Sequence, residues 1–318
     1  MSLVERALQK LKASAPAPVA SAEPPPTIRV GRVVDVERAR PDAAALPQPR
    51  AALGNGLRTV RIDIGALRAN GFLPPEQHER ELAHQFRTIK RPLIRHAFPP
   101  AELDAGPAAT GRRAVMVSSA LPGEGKTFTA VNLALSLALE KDHSVLLVDG
   151  DVAKPNISQI FGAGGEPGLL ELLADTRRSV ESVILSTDTP RLSLLPAGKP
   201  SEVATELLAS ARMRQVLARL ERLDPYLLIV FDSPPILLTS EARVLATLFE
   251  QVVLVVRAGT TQQQAVIDAI EAIGDKPGLR LVLNQAHRAG AAGNYYGYGY
   301  VYGYAAGDTN NTTQAGRS

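Results

Sequence analysis

The ten residues Ser118–Thr127, SSALPGEGKT, restrict the possible folds more than any other stretch of the chain. They lie between an apolar run, AVMVSSA, and a helical pattern, FTAVNLALSLALEK. A glycine-rich turn in that place aims backbone N–H groups at an anion held on the helix N-terminus. Gly123 and Gly125 lack the Cβ atoms that would block the approach. Lys126 supplies a point charge for β- and γ-phosphates, and Thr127 a hydroxyl for Mg²⁺. The usual spacing is G-x-x-x-x-G-K-[ST]; Ala120 holds the first glycine position, so only the second half of the pattern is met. Glu124 reads as an exposed loop residue.

The remaining apolar runs complete an α/β pattern. SVLLVDGD follows the helix, which makes a βαβ unit of ordinary length. Further strands are expected at 192–198, 226–232, 251–258 and 279–285, with helical patterns between them. Apolar strands alternating with helices imply a mostly parallel sheet covered on both faces. Ligands bind at the C-terminal ends of such strands. Asp149 and Asp151 end one strand, and their spacing aims both carboxylates at one site. Paired carboxylates beside a phosphate loop suit Mg²⁺, with one left to take a proton. Asp232 ends a third strand, LLIVFD, before Pro234 and Pro235.

Composition narrows the chemistry. The 318 residues include no cysteine, which excludes disulfides, thiolate metal sites and cysteine nucleophiles. A formal charge of +3 is no nucleic-acid stripe, so no nucleic-acid partner is expected. The apolar runs fall short of the roughly 18 residues a membrane span needs, and the charged start, MSLVERALQKLKA, is not a signal peptide. The five histidines lack metal spacing. The expected organisation is an amphipathic helix over 1–13, a disordered Pro/Ala-rich linker over 14–56, a helical extension over 57–110, a P-loop domain over 111–288 and a flexible tyrosine-rich tail over 289–318. Within the extension, Pro92 is expected to kink or end the helix over 74–98.

Together SSALPGEGKT, VLLVDGDVAKP, LLIVFDSPP and the tyrosine-rich tail resemble the bacterial tyrosine kinases (BY-kinases), cytoplasmic autokinases of capsule and exopolysaccharide assembly. The segments MSLVERALQKL and FRTIKRPLI are similar to the subgroup encoded with exosortase (PEP-CTERM) systems. The resemblance implies a P-loop NTPase fold related to the ParA/MinD ATPases, with ATP and Mg²⁺. It assigns nucleotide binding to Gly123, Glu124, Gly125, Lys126, Thr127 and Phe128, and base reading to Asn284. It places Thr127, Asp149, Asp151 and Asp232 around the metal. Asp149 is the implied base for the tyrosine hydroxyl, with Lys126 and Asp151 as its catalytic companions. Two departures stand out. Ala153 and Lys154 occupy the region where many members carry an arginine after the second aspartate. His84, Arg87 and Lys90 match the family's E-x-x-R-x-x-R ring-forming element, without its glutamate.

Six of the seven tyrosines, Tyr295, Tyr296, Tyr298, Tyr300, Tyr302 and Tyr304, lie in GNYYGYGYVYGY. They are the expected phosphoacceptors. The ten residues Gln285–Asn294 before the first of these tyrosines extend at most about 35 Å, enough to reach a neighbouring subunit's site. The resemblance also implies a homo-oligomer, of which a ring is one form, and a membrane polysaccharide copolymerase (a chain-length determinant protein) as activator. It further implies an opposing tyrosine phosphatase and a cytoplasmic place at the inner membrane through that partner. The rival reading is a ParA/MinD-like positioning ATPase, but Leu121 stands where those proteins carry an early loop lysine.

Overall fold

A computed structural model of the chain describes Leu53 and residues 58–99 and 111–286. The amphipathic helix expected over 1–13, nearly all of the linker and the tyrosine cluster lie outside the described residues.

The described strands form one sheet. They are β1 (Thr59–Val60), β2 (Ala114–Ser119), β3 (Ser144–Asp149), β4 (Leu185–Thr187), β5 (Leu192–Leu195), β6 (Leu227–Asp232), β7 (Gln251–Arg257) and β8 (Gly278–Asn284). Their order is β1-β4-β5-β3-β6-β2-β7-β8. All neighbours run parallel except β4 and β5. The sequence reading missed β1 and β4, which are too short to show a period. Strand β1 finds its place by pairing with distant β4, Thr59 with Ser186, and β4 folds back in a hairpin on its neighbour β5, Leu185 with Leu194.

Strands β2, β3 and β6 are buried along their whole length, which is why they read as unbroken apolar runs. Alternate residues feed two cores. Val115, Val117, Val145, Leu147, Leu228 and Val230 face one; Ala114, Met116, Leu146, Val148, Ile229 and Phe231 face the other. Helix α3 (Lys126–Ala138) covers the first face with Ala130, Leu133, Ala134 and Leu137. Most of its residues are buried, so packing holds it; truncating Leu133 to alanine should cost about 2–5 kcal/mol. The helices α5 (Leu169–Ala174), α6 (Ala204–Leu208), α7 (Ala211–Glu221), α8 (Ser240–Ala246) and α9 (Gln263–Ile273) cover the other face.

The extension packs onto the α3 side. Helix α1 (Ile64–Ala69) buries Leu67, and Asn132 of α3 donates to the carbonyl of Phe72 at 2.8 Å. Helix α2 (Glu79–Ala97) runs through Pro92 rather than ending there. Its buried stripe, Phe86, Lys90, Leu93 and Ala97, anchors both halves, which outweighs the one missing N–H. Lys90 is buried: its ammonium contacts the Ser136 carbonyl at 2.6 Å and Glu140 at 2.7 Å. Of the three residues matching the ring-forming element, His84 and Arg87 are exposed while Lys90 is turned into the fold. Leu53 is also buried in the core, with its N–H 3.4 Å from Ser193 Oγ. Among the described residues no helix is long and apolar enough to cross a membrane.

Candidate active site

The site lies where β2, β3 and β6 end on one edge of the sheet. Register pairs Asp149 with Asp232, and Val117 with Asp232. Neighbouring strand residues in register share a face, so both carboxylates lie beneath the N-terminus of α3. Thr127 Oγ1 donates to Asp232 Oδ2 at 2.7 Å. Lys126 Nζ donates to Asp151 Oδ2 at 2.7 Å. Asp149 Oδ2 accepts from both the N–H and the hydroxyl of Ser158, each at 2.7 Å. Ser158 belongs to the short helix α4 (Asn156–Ile160), and sequence reasoning gave it no role.

Strand β3 stops at Asp149, so strand alternation does not carry Asp151 to the site. A turn does so instead, with Lys154 donating to the Asp151 carbonyl at 3.0 Å. Gly150 makes the turn possible. Its N–H donates to the Asp232 carbonyl at 2.8 Å, and a Cβ there would lie 2.0 Å from the Phe231 ring. No other residue fits between the two aspartates without moving β6.

Burial dominates the electrostatics. It pushes the Asp232 carboxyl from 3.8 up to about 7, against the pull of Lys126. It pushes Asp149 up to about 6, against its two bonds from Ser158. Burial alone would lower the Lys126 ammonium, but Asp232, Asp151 and Asp149 together hold it above its ordinary value. Asp149 Oδ1 and Asp232 Oδ1 are buried without any hydrogen-bond partner. Two carboxylate oxygens left bare beside a lysine are costly in a folded core unless something else approaches them.

These oxygens fit a Mg²⁺ ion. No group of three or more His, Cys, Asp or Glu among the described residues could cage a metal. Mg²⁺ does not require one, because it binds through one or two carboxylates and completes its shell with waters and substrate phosphates. The orphaned oxygens of Asp149 and Asp232, with the Thr127 hydroxyl, supply that kind of donor set.

The loop corrects one expectation. Glu124 is not exposed: it is 3% accessible. Its Oε2 accepts from the Leu121 N–H at 2.7 Å, and its Oε1 accepts from the Thr261 hydroxyl. Asn284, expected to read the base, uses its amide Nδ2 on the Glu124 carbonyl at 2.9 Å. Its Oδ1 accepts from the Gln285 N–H. Gly125 sits at φ 95°, where a Cβ would meet that Asn284 amide at 2.0 Å. Gly123 is likewise left-handed, at φ 79°. Phe128 and Asn284 line a cavity of about 370 Å³ beside the loop, with Phe86, His84 and Leu283.

Fold and site together define a P-loop nucleotide-binding α/β protein. Residues 112–275 match the AAA domain family model. Over 161 residues the chain is 34% identical to the tyrosine-protein kinase YwqD of Bacillus subtilis, covering 51% of this chain and 66% of YwqD. Over 188 residues it is 33% identical to the tyrosine-protein kinase CpsD of Streptococcus agalactiae, covering 58% of this chain and 80% of CpsD. It spans only 26% of the putative tyrosine-protein kinase EpsB of Ralstonia solanacearum. The VpsO kinase domain superposes with a TM-score of 0.53 at 29% identity, over 67% of this chain and 100% of that one. The chain belongs to the family of bacterial tyrosine-protein kinases with an AAA domain.

Proposed function

We propose that the chain is an ATP-dependent protein-tyrosine autokinase that phosphorylates its own cluster Tyr295–Tyr304, in trans between subunits. One observation carries the reading. Lys126, Thr127, Asp149, Asp151 and Asp232 converge at one strand edge, and β8, parallel to β7, ends on that edge at Asn284. From Ala286, the nine residues to Tyr295 span at most about 32 Å. The described fold therefore ends, at Ala286, on the same edge of the sheet as the site.

The phosphate loop and Lys126 bind the triphosphate, and the cavity lined by Phe128 and Asn284 has room for a base. Mg²⁺, held by Asp232, Asp149 and Thr127 with Asp151 nearby, would neutralise charge on the phosphates. Asp149 takes the proton of the tyrosine hydroxyl. The phenol oxygen bonds to the γ-phosphorus as the bond to the β-γ bridging oxygen breaks, and ADP leaves. Without metal, burial raises this carboxyl to about 6, so it is ionised at neutral pH and able to take a proton. Lys126 offsets the charge that moves onto the leaving diphosphate.

Each phosphate adds roughly −1.5 to −2 charge to the tail. Six of them would repel it from a carboxylate-lined site, loosening a homo-oligomer whose contacts include the exposed His84 and Arg87. This reading places the chain in regulation of exopolysaccharide synthesis and export. A membrane copolymerase would hold it at the inner membrane and activate it, and a tyrosine phosphatase would reverse it.

The test is incubation with Mg²⁺ and ATP, then mass spectrometry of the C-terminal peptide, with Lys126→Ala in parallel. Phosphate on Tyr295–Tyr304 in the wild type alone is the expected result. ATP turnover without phosphotyrosine, in the presence of the partner's cytoplasmic segment, would sink it.

A further inference from the structure

The side chain of Glu124 lies inside a nucleotide-binding loop but is turned away from the anion the loop would hold. Both carboxylate oxygens are engaged, one by Leu121 N–H and one by the Thr261 hydroxyl. The residue is 3% accessible. A second negative charge aimed at a triphosphate would repel it, so a role through direct contact is poorly served by this geometry. The carboxylate does something else. Thr261 lies in the turn between β7 and α9, and its Oγ1 also accepts from the Arg257 N–H at 3.2 Å. The Glu124 carbonyl accepts from Asn284 at the end of β8. One residue therefore fastens the loop to two neighbouring elements, each more than a hundred residues away in sequence.

The other half of the loop is fastened separately. Ser119 Oγ donates to the Leu121 carbonyl at 2.7 Å, and the carbonyls of Ser119 and Ala120 accept from Ile236 and Leu237 at 2.8 and 3.3 Å. The segment after β6 thus holds the start of the loop. Glu124, through Thr261 and Asn284, holds the turn where Gly123 and Gly125 take their left-handed conformations. A loop whose N–H groups are fixed in advance loses less entropy on binding a phosphate.

We infer that Glu124 is a positioning residue: its buried side chain and carbonyl brace the phosphate loop against the β7–α9 turn and the end of β8, presetting the loop for a nucleotide triphosphate. The inference rests on the nucleotide-binding half of the proposed function and not on phosphoryl transfer. The requirement is for reach and hydrogen bonding, not charge. Glutamine keeps the reach, accepts from Leu121 with its oxygen and donates to Thr261 Oγ1 with its amide. Aspartate is one methylene too short to hold both partners.

The experiment titrates the full chain with a fluorescent ATP analogue and Mg²⁺, alongside urea denaturation and tail phosphorylation kinetics. Glu124→Ala, Glu124→Asp and Thr261→Val are each expected to weaken binding roughly tenfold, as lost positioning contacts do. The double variant Glu124→Ala/Thr261→Val should be no weaker than the worse single variant within about twofold, because the two share one contact. Glu124→Gln should recover affinity to within about threefold of wild type, whereas in Glu124→Ala and Thr261→Val KM should rise more than kcat falls. Unchanged affinity in Glu124→Ala would overturn the inference. So would Glu124→Gln as weak as Glu124→Ala beside a neutral Thr261→Val, since the charge would then act on the ligand directly. If denaturation shows Glu124→Ala unfolded, Thr261→Val decides alone, and unchanged affinity in it overturns the inference. A wild type that binds nucleotide without phosphorylating tyrosine removes the kinase reading and leaves this one standing; one that binds no nucleotide removes both.

Discussion

Strands β2, β3 and β6 carry buried charge at both ends, and the two ends are built differently. At the end where the strands begin, Glu221 accepts from the N–H groups of Gly111 and Arg113, both at 3.0 Å. Arg113 reaches back to the carbonyls of Asp224 and Glu221. Asp224 accepts from the Ser144 hydroxyl and the Tyr226 N–H. Every carboxylate oxygen of Glu221 and Asp224 has a partner. At the other end, Asp149 and Asp232 each keep one buried oxygen bare, and burial lifts both carboxyls well above the ordinary aspartate value. Burial of charge is common to both ends, so it does not by itself mark a site. A bare amide oxygen, Gln251 Oε1, lies at the first end too, so the mark of the site is the combination: a bare carboxylate oxygen, a raised carboxyl and Lys126 beside it.

That contrast yields predictions of opposite kind at the two ends. The largest effect belongs to Lys126→Ala. Tail phosphorylation should fall by about 10²-fold or more, as when a charge stabiliser aimed at the transferring group is removed. The urea midpoint should move less than activity does, because the raised carboxyls of Asp149 and Asp232 can take up protons once the lysine is gone. Equal losses of activity and stability would erase the distinction between the ends.

Glu221→Ala is the mirror experiment. It strands two N–H groups and leaves Arg113 with Asp224 as its remaining counter-charge, which should cost about 3 kcal/mol of unfolding free energy. Activity per folded molecule should hold. Denaturation curves and phosphorylation rates of the same samples read both quantities.

The two ends also differed in how far the sequence revealed them. The phosphate loop, Asp149 and Asp232 were legible because each sits at a fixed place in a local pattern: a loop between strand and helix, or the last residue of an apolar strand. The opposite end was not legible, since Glu221 and Gly111 are 110 residues apart and share no motif. Glu124 was read as exposed for the same reason; its partner Thr261 lies 137 residues on. Lys90 follows suit. A lysine on a charged helix reads as solvated, and only the packing of α2 on α3 brings it to Ser136 and Glu140. Ser158 could have been suspected from its nearness to Asp149 in sequence, but nothing local says that a short helix folds back onto the carboxylate. Local order in the chain fixes the chemistry-bearing groups, while the contacts that tune them are tertiary.

The raised carboxyls make the contrast measurable by titration. A folded pKa of about 7 against an ordinary 3.8 means that native Asp232 holds a proton which the unfolded chain gives up. Its contribution to stability is complete below about pH 4 and is lost as pH rises towards 7. Stability of the nucleotide-free, metal-free protein should therefore decline across that window. Asp232→Asn should flatten the decline by about 1–3 kcal/mol and make the variant the more stable protein at pH 8. A steeper decline in the variant would assign the titration elsewhere.

The smallest effect is the sharpest test of what distinguishes the active end. Ser158 is the one side chain that donates to Asp149 among the described contacts. Its hydroxyl favours the ionised carboxylate, so Ser158→Ala should raise the Asp149 pKa further. If Asp149 is the base, kcat/KM rises with pH as the free enzyme's carboxyl ionises, and the wild-type acid limb lies near pH 6. In Ser158→Ala that limb should move about half to one unit towards alkaline pH, while the plateau changes little. The Ser158 backbone N–H remains as a donor to the same oxygen, which limits the shift. A limb that stays in place would show that proton removal is not governed by Asp149. The bare oxygens would then serve only to hold the metal.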